Sequence, residues 1–117
     1  MAAPNIVNVA TITGKTAVQA VGTSATAIVT NSSGSGKVYK VNALYVSNVD
    51  GSAAADITVD LYRSSTAYAL ASTVSVPADD VLDLMSKAIY LEEGDALRCT
   101  ASASGDLVAV CSYEEIS

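Results

Sequence analysis

The segment Leu97-Arg98-Cys99-Thr100-Ala101-Ser102-Ala103-Ser104-Gly105-Asp106-Leu107-Val108-Ala109-Val110-Cys111-Ser112-Tyr113-Glu114 decides the fold class. Leu97, Cys99, Ala101 and Ala103 recur at every second position before Gly105, and Leu107, Ala109, Cys111 and Tyr113 do so after it. A period of two marks a strand with one buried face. Folding the segment about Ser104-Gly105-Asp106 gives a hairpin whose paired positions sum to 210. Cys99 then faces Cys111 on an apolar face, while Arg98, Thr100, Ser102, Val108, Val110 and Ser112 share the other. The expectation is a terminal β-hairpin carrying two buried, reduced thiols.

The same alternation extends toward the N-terminus. Around a loop Ser64-Ser65-Thr66-Ala67, Ile57 pairs with Val74, Val59 with Ser72 and Leu61 with Leu70. Asp56, Thr58, Asp60 and Tyr62 fall on the opposite face. Lys37 to Val49 is the longest strand candidate. Tyr39 and Val41 share one parity and Leu44 and Val46 the other, so either a bulge lies near Ala43-Leu44 or both faces are buried. Ile6 to Thr13 and Thr16 to Val21 read as two strands around a Gly14-Lys15 turn, and Ala25 to Thr30 as a third. Val81 to Lys87 and Ile89 to Glu92 are short strands. Turn signals lie at Asn31 to Gly36, Asp50-Gly51, Pro77 to Asp80 and Glu93-Gly94-Asp95. About eight to ten strands result, with no helix and no internal repeat.

Composition agrees. Val, Ile and Thr make up 31 of the 117 residues, against 21 for Leu, Glu, Lys, Arg, Gln and Met together. The first set is stiff at χ1 and favours strands, and the second holds most good helix formers apart from Ala. The reading is all-β: a single antiparallel β-sandwich, jelly-roll-like, over residues 6–117, preceded by an extended N-terminal arm, residues 1–5. No apolar run approaches the length of a membrane helix, and the start Met1-Ala2-Ala3-Pro4-Asn5 lacks the pattern of a secretory signal.

Charge and chemistry narrow the function classes. Six Lys and Arg against 12 Asp and Glu give a net charge of −6, and no basic cluster is present to replace nucleic-acid counterions or to meet an anionic membrane. The absence of His removes imidazole ligands and the Ser–His and Cys–His catalytic schemes. No G-x-S-x-G elbow occurs, and Gly34-Ser35-Gly36-Lys37 lacks the spacing of a phosphate loop. Asp79, Asp80 and Asp83 offer oxygens of the kind calcium favours, but without the ligand alternation of a known loop, and the expectation is a solvated turn. Glu92-Glu93 and Glu114-Glu115 are adjacent pairs that a strand splits between two faces. We therefore expect no enzyme, no catalytic residue, no cofactor and no metal site. Only 15% of the residues are charged, against roughly 25% in ordinary soluble domains. A surface of Ser, Thr, Asn and Ala loses little on approaching another protein.

The opening Met1-Ala2-Ala3-Pro4-Asn5-Ile6-Val7-Asn8-Val9, the Ala/Thr/Ser/Val-rich body and the ending Ser112-Tyr113-Glu114-Glu115-Ile116-Ser117 resemble small virion structural proteins of tailed bacteriophages, those of marine cyanobacterial phages above all. Ile89-Tyr90-Leu91-Glu92-Glu93-Gly94-Asp95-Ala96-Leu97-Arg98 is similar to a strand–Glu-Gly-Asp–strand corner of sandwich and jelly-roll virion domains. The resemblance implies a head decoration, or cement, protein synthesised in the host cytoplasm and placed on the capsid surface. Its partners would be the major capsid protein lattice and further copies of itself, a trimer suiting local three-fold positions. A tail, neck or fibre component with host-surface binding is the alternative, and a carbohydrate-binding module a third. Residues Ala2 to Asn5 would add to a neighbour's sheet edge.

Overall fold

The computed structural model describes residues 4–117; Met1, Ala2 and Ala3, and with them most of the expected arm, lie outside the described residues. Nine strands form: β1 (Ile12–Ala20), β2 (Thr26–Thr30), β3 (Val38–Asn48), β4 (Ala55–Arg63), β5 (Thr66–Val76), β6 (Val81–Asp83), β7 (Ile89–Leu91), β8 (Ala96–Ala101) and β9 (Leu107–Ile116). No helix occurs among the described residues, so none is long and apolar enough to cross a membrane.

One sheet has the order β1-β9-β3-β6, with β7 also paired to β3; the other has the order β2-β8-β4-β5. Every pairing is antiparallel. The chain crosses between the sheets at β1–β2, β2–β3, β3–β4, β5–β6, β7–β8 and β8–β9. Four strands per sheet with these crossings, counting β6 and β7 as one interrupted strand, is jelly-roll topology. The sandwich is long and narrow, 49 × 26 × 19 Å.

The terminal hairpin expected from the sequence does not form. β8 pairs with β2 and β4 in one sheet, whereas β9 pairs with β1 and β3 in the other. Ser102 to Asp106 is therefore an arch between layers. Leu97, Cys99, Ala101, Leu107, Ala109 and Cys111 are all buried, as the alternation requires. They meet across the interior instead of side by side. In-register neighbours of Cys111 are Ala17 and Leu44, and those of Cys99 are Thr26 and Val59. Apolar alternation is the same for lateral and face-to-face neighbours, which is why it misassigns this pair.

Three further differences have local causes. Gly14-Lys15 lies inside β1, because β9 offers an unbroken partner from Ile12↔Ile116 to Ala20↔Val108; residues 6–11 form no strand. The β4–β5 turn is the two-residue Ser64-Ser65, with Arg63 opposite Thr66. Ile57 keeps Val74, but Val59 meets Ala71 and Leu61 meets Tyr68, after register shifts on both sides of Val59. The expected strand Val81 to Lys87 is cut to three residues, β6. The parity change in β3 is a bulge, the register shifting between Val41 and Ala43.

Leu44, Ile57, Leu91, Leu97 and Leu107 fill the centre, with Val21, Val41, Val46, Val59 and Val76 around them. With neither Phe nor Trp available, the core is built from branched aliphatics. Each such side chain stabilises by about 1.5–3 kcal/mol on full burial.

Candidate assembly surface

The residues flagged for chemistry stay apart. The Asp80 carboxylate accepts from the N–H of Val81, and that of Asp83 from the N–H of Met85. Asp79 takes a left-handed φ of 57° in the turn beside Gly51. These carboxylates serve local turns, and no three His, Cys, Asp or Glu side chains converge as a metal site would require among the described residues. Glu92 and Glu93 diverge, Glu92 to Arg63 and Glu93 to the N–H of Gly36. Glu114 accepts from Asn42 at the β3 bulge, and Glu115 lies between Lys15 and Lys37. Those two lysines hold the Glu115 carboxyl below its ordinary range.

Cys99 and Cys111 are fully buried free thiols. Burial pushes Cys99 up to about 12 and Cys111 up to about 11. At neutral pH both stay protonated and unreactive.

Two buried asparagines, which the sequence reading missed, tie down the ends of the sandwich. Asn31 donates its amide to the carbonyls of Lys37 and Leu91, and its side-chain oxygen accepts from Ser35. Asn48 donates to Ala53 and Val76 and accepts from the N–H of Asp50. Both stand at strand ends beside turn-rich segments, a signal for a capping role; their partners up to 60 residues away leave no trace in the local sequence. Near Asn31, Arg63 bonds Asp95 twice and Glu92 once. The adjoining cleft of about 420 Å³ lies between the β4–β5 and β7–β8 turns and is lined by Tyr62, Ser64, Ser65 and Glu93. Arg63, which also lines it, is paired with Asp95 and Glu92.

One sheet face also carries exposed apolar surface. On the outer face of the β1-β9-β3-β6 sheet, Val18 lies beside Val110 and Tyr45, and Ala20 beside Val108, Ser47 and Val81. Val18 is 71% exposed, Val81 51% and Tyr45 45%. This strip crosses four strands, and Asp83 at its rim is the only charge in the two rows. The other sheet's outer face is closed by charge: Arg98 bonds Asp60 through two nitrogens and lies 3.9 Å over the Tyr62 ring.

No protein-family profile matches the chain, and no curated protein matches its sequence. Among solved structures it is similar to a protein of Bacillus endospore appendages, described as a novel family of disulfide-linked pili. That TM-score is 0.53 at 14% identity, over 92% of this chain and 88% of that one. It is also similar to a pentameric capsid protein isolated from metagenomic phage sequences, with a TM-score of 0.45 at 20% identity over 86% of this chain. The chain spans 60% of that capsid protein's length. The first likeness is one of fold, and the second is too loose in backbone to support more.

Proposed function

We propose that the chain is a structural virion protein that decorates and cements a phage capsid through protein–protein contacts, acting as a homo-oligomer, a trimer in first place. The observation that carries this reading is the uncharged strip of Val18, Val110, Tyr45, Val108 and Val81 on one sheet face, on a protein with few charges elsewhere. Exposed apolar strips of this kind mark interaction surfaces. The mechanism is passive. A subunit that binds only the assembled shell stabilises it by mass action, and disruption must then break its contacts as well. The fold neighbour from endospore appendages, itself a component of pili, is compatible with assembly as the role of such a sandwich.

The test is co-sedimentation of the purified chain with capsids that lack it, alongside Val18→Lys. The substitution is at an exposed position and leaves the melt unchanged, and the expected result is binding by the wild type and none by the variant. Failure of the wild type to bind contradicts the proposal.

A further inference from the structure

A sandwich of two open sheets has four edges, and this one protects only two of them. The β6/β7 edge is cut into two three-residue pieces. The β2 edge is five residues long, has a register shift between Ala27 and Val29, and is capped by Gln19, whose amide donates to the carbonyls of Thr26 and Ala27. Short strands, bulges and covering groups are the usual means of blunting an edge. The other two edges have little of this. β1 runs for nine residues in unbroken register, and its single charge, Lys15, is neutralised by Glu115. β5 runs for 11 residues with no charge and no proline, and its two register shifts, at Leu70 and near Thr73, leave the stretch Thr66 to Ala69 regular.

Geometry places these two edges on opposite sides. β1 lies over β2, so with the orders β1-β9-β3-β6 and β2-β8-β4-β5 the free edge of β5 is at the far side, in the other sheet. Arg63 and Thr66 flank the two-residue turn and pair directly, so the backbone groups of Thr66 and Tyr68 face β4 while those of Ala67 and Ala69 face outward. Beside this edge Tyr68 is 55% and Leu70 45% exposed; beside the β1 edge Ile12 is 55% and Val18 71% exposed. The register shift at Leu70 ends the regular stretch, and a second bulge follows at Thr73, with φ 53°.

We infer that the outward edge of β5, Thr66 to Ala69, pairs with the β1 edge of a second copy of this chain, joining one sheet of each copy into a continuous sheet. The contact is head-to-tail and uses both unprotected edges through one interface. Repeated, it closes into a ring or extends as an array. No charge opposes it, main-chain hydrogen bonds supply affinity, and Leu70, at the end of the paired stretch, comes beside Val18. The inference rests on the self-association reading above.

Two experiments on the full chain test it. Ala69→Pro removes an outward N–H and leaves the β4 ladder intact; the expected result is a monomer by light scattering, with the wild-type melt, where the wild type is an oligomer. Leu70→Cys and Val18→Cys, each in its own chain, are then treated with a short bismaleimide, the native thiols being buried. Crosslinked dimer is expected only when the two variants are mixed, and this readout stands even if Ala69→Pro fails to fold. An oligomer untouched by Ala69→Pro overturns the edge contact and leaves self-association standing. Each cysteine variant crosslinking with itself overturns the head-to-tail arrangement. A monomeric wild type overturns this inference and the oligomer reading together.

Discussion

Arg63 holds Asp95 in a two-point clasp, Nε to Oδ1 at 2.7 Å and Nη2 to Oδ2 at 2.6 Å. Asp95 is buried, and its Oδ2 also accepts from the N–H of Glu92. The backbone carbonyl of Asp95 accepts from Asn31, and the N–H of Gly94 returns to the Asn31 carbonyl. One guanidinium thus joins the β4–β5 turn to the loop that precedes β8. Arg63→Ala leaves a buried carboxylate short of two charged hydrogen bonds, at a cost of about 2 kcal/mol. Asp95→Asn keeps the shape and some of the bonds and costs less. Urea unfolding of the two variants checks the order.

Acid exposes the same contacts. The Arg63 bonds hold Asp95 below its ordinary value of 3.8, and Lys37 and Lys15 hold Glu115 below 4.5. A depressed carboxylate contributes stability that is complete above its unfolded value and is lost as pH falls through its folded one. The melting temperature therefore falls as the pH drops below about 4. Lys15 and Lys37 are raised by Glu115 above 10.5, so their share is complete below that value and lost at more alkaline pH. Melts of Glu115→Gln across the range should show both limbs flattened.

The thiols give a third outcome. With Cys99 pushed to about 12 and Cys111 to about 11, iodoacetamide at pH 8 labels neither in the folded protein and both after denaturation. The two belong to opposite sheets, and both are free thiols in the core. Mass spectrometry without reductant should find two free thiols. An intramolecular crosslink would contradict the reduced state of the pair.

The β4–β5 turn carries removable strain. Ser64 and Ser65 adopt φ of 51° and 61°, the pattern of a type I′ turn, at positions that favour Asn and Gly. Ser64→Asn with Ser65→Gly is expected to raise stability by about 1 kcal/mol, read as a higher urea midpoint at unchanged slope.

Much of the sandwich is legible in period-two alternation, because Ile57, Val59, Leu97, Cys99, Leu107, Ala109 and Cys111 all go inside. The bulge in β3 shows in the parity change between Val41 and Leu44. What alternation cannot carry is which strand lies beside which. Cys99 and Cys111 point into one core from two sheets, and the pattern is the same as for a hairpin. Gly14-Lys15 has the chemistry of a turn, but nine residues of β9 hold it extended. Ser64-Ser65 has no glycine to announce a tight turn. At the candidate surface, low charge signals association, whereas the strip from Val18 to Val81 exists only once β1, β9, β3 and β6 are side by side.

If the chain cements a capsid as proposed, the rupture temperature of that capsid rises when it binds. Particles lacking the chain are heated with and without the purified protein, and genome release is followed by dye fluorescence. A higher release temperature is expected when the wild type is added, and no rise with Val18→Lys. An unchanged release temperature with wild-type protein bound or unbound would contradict it.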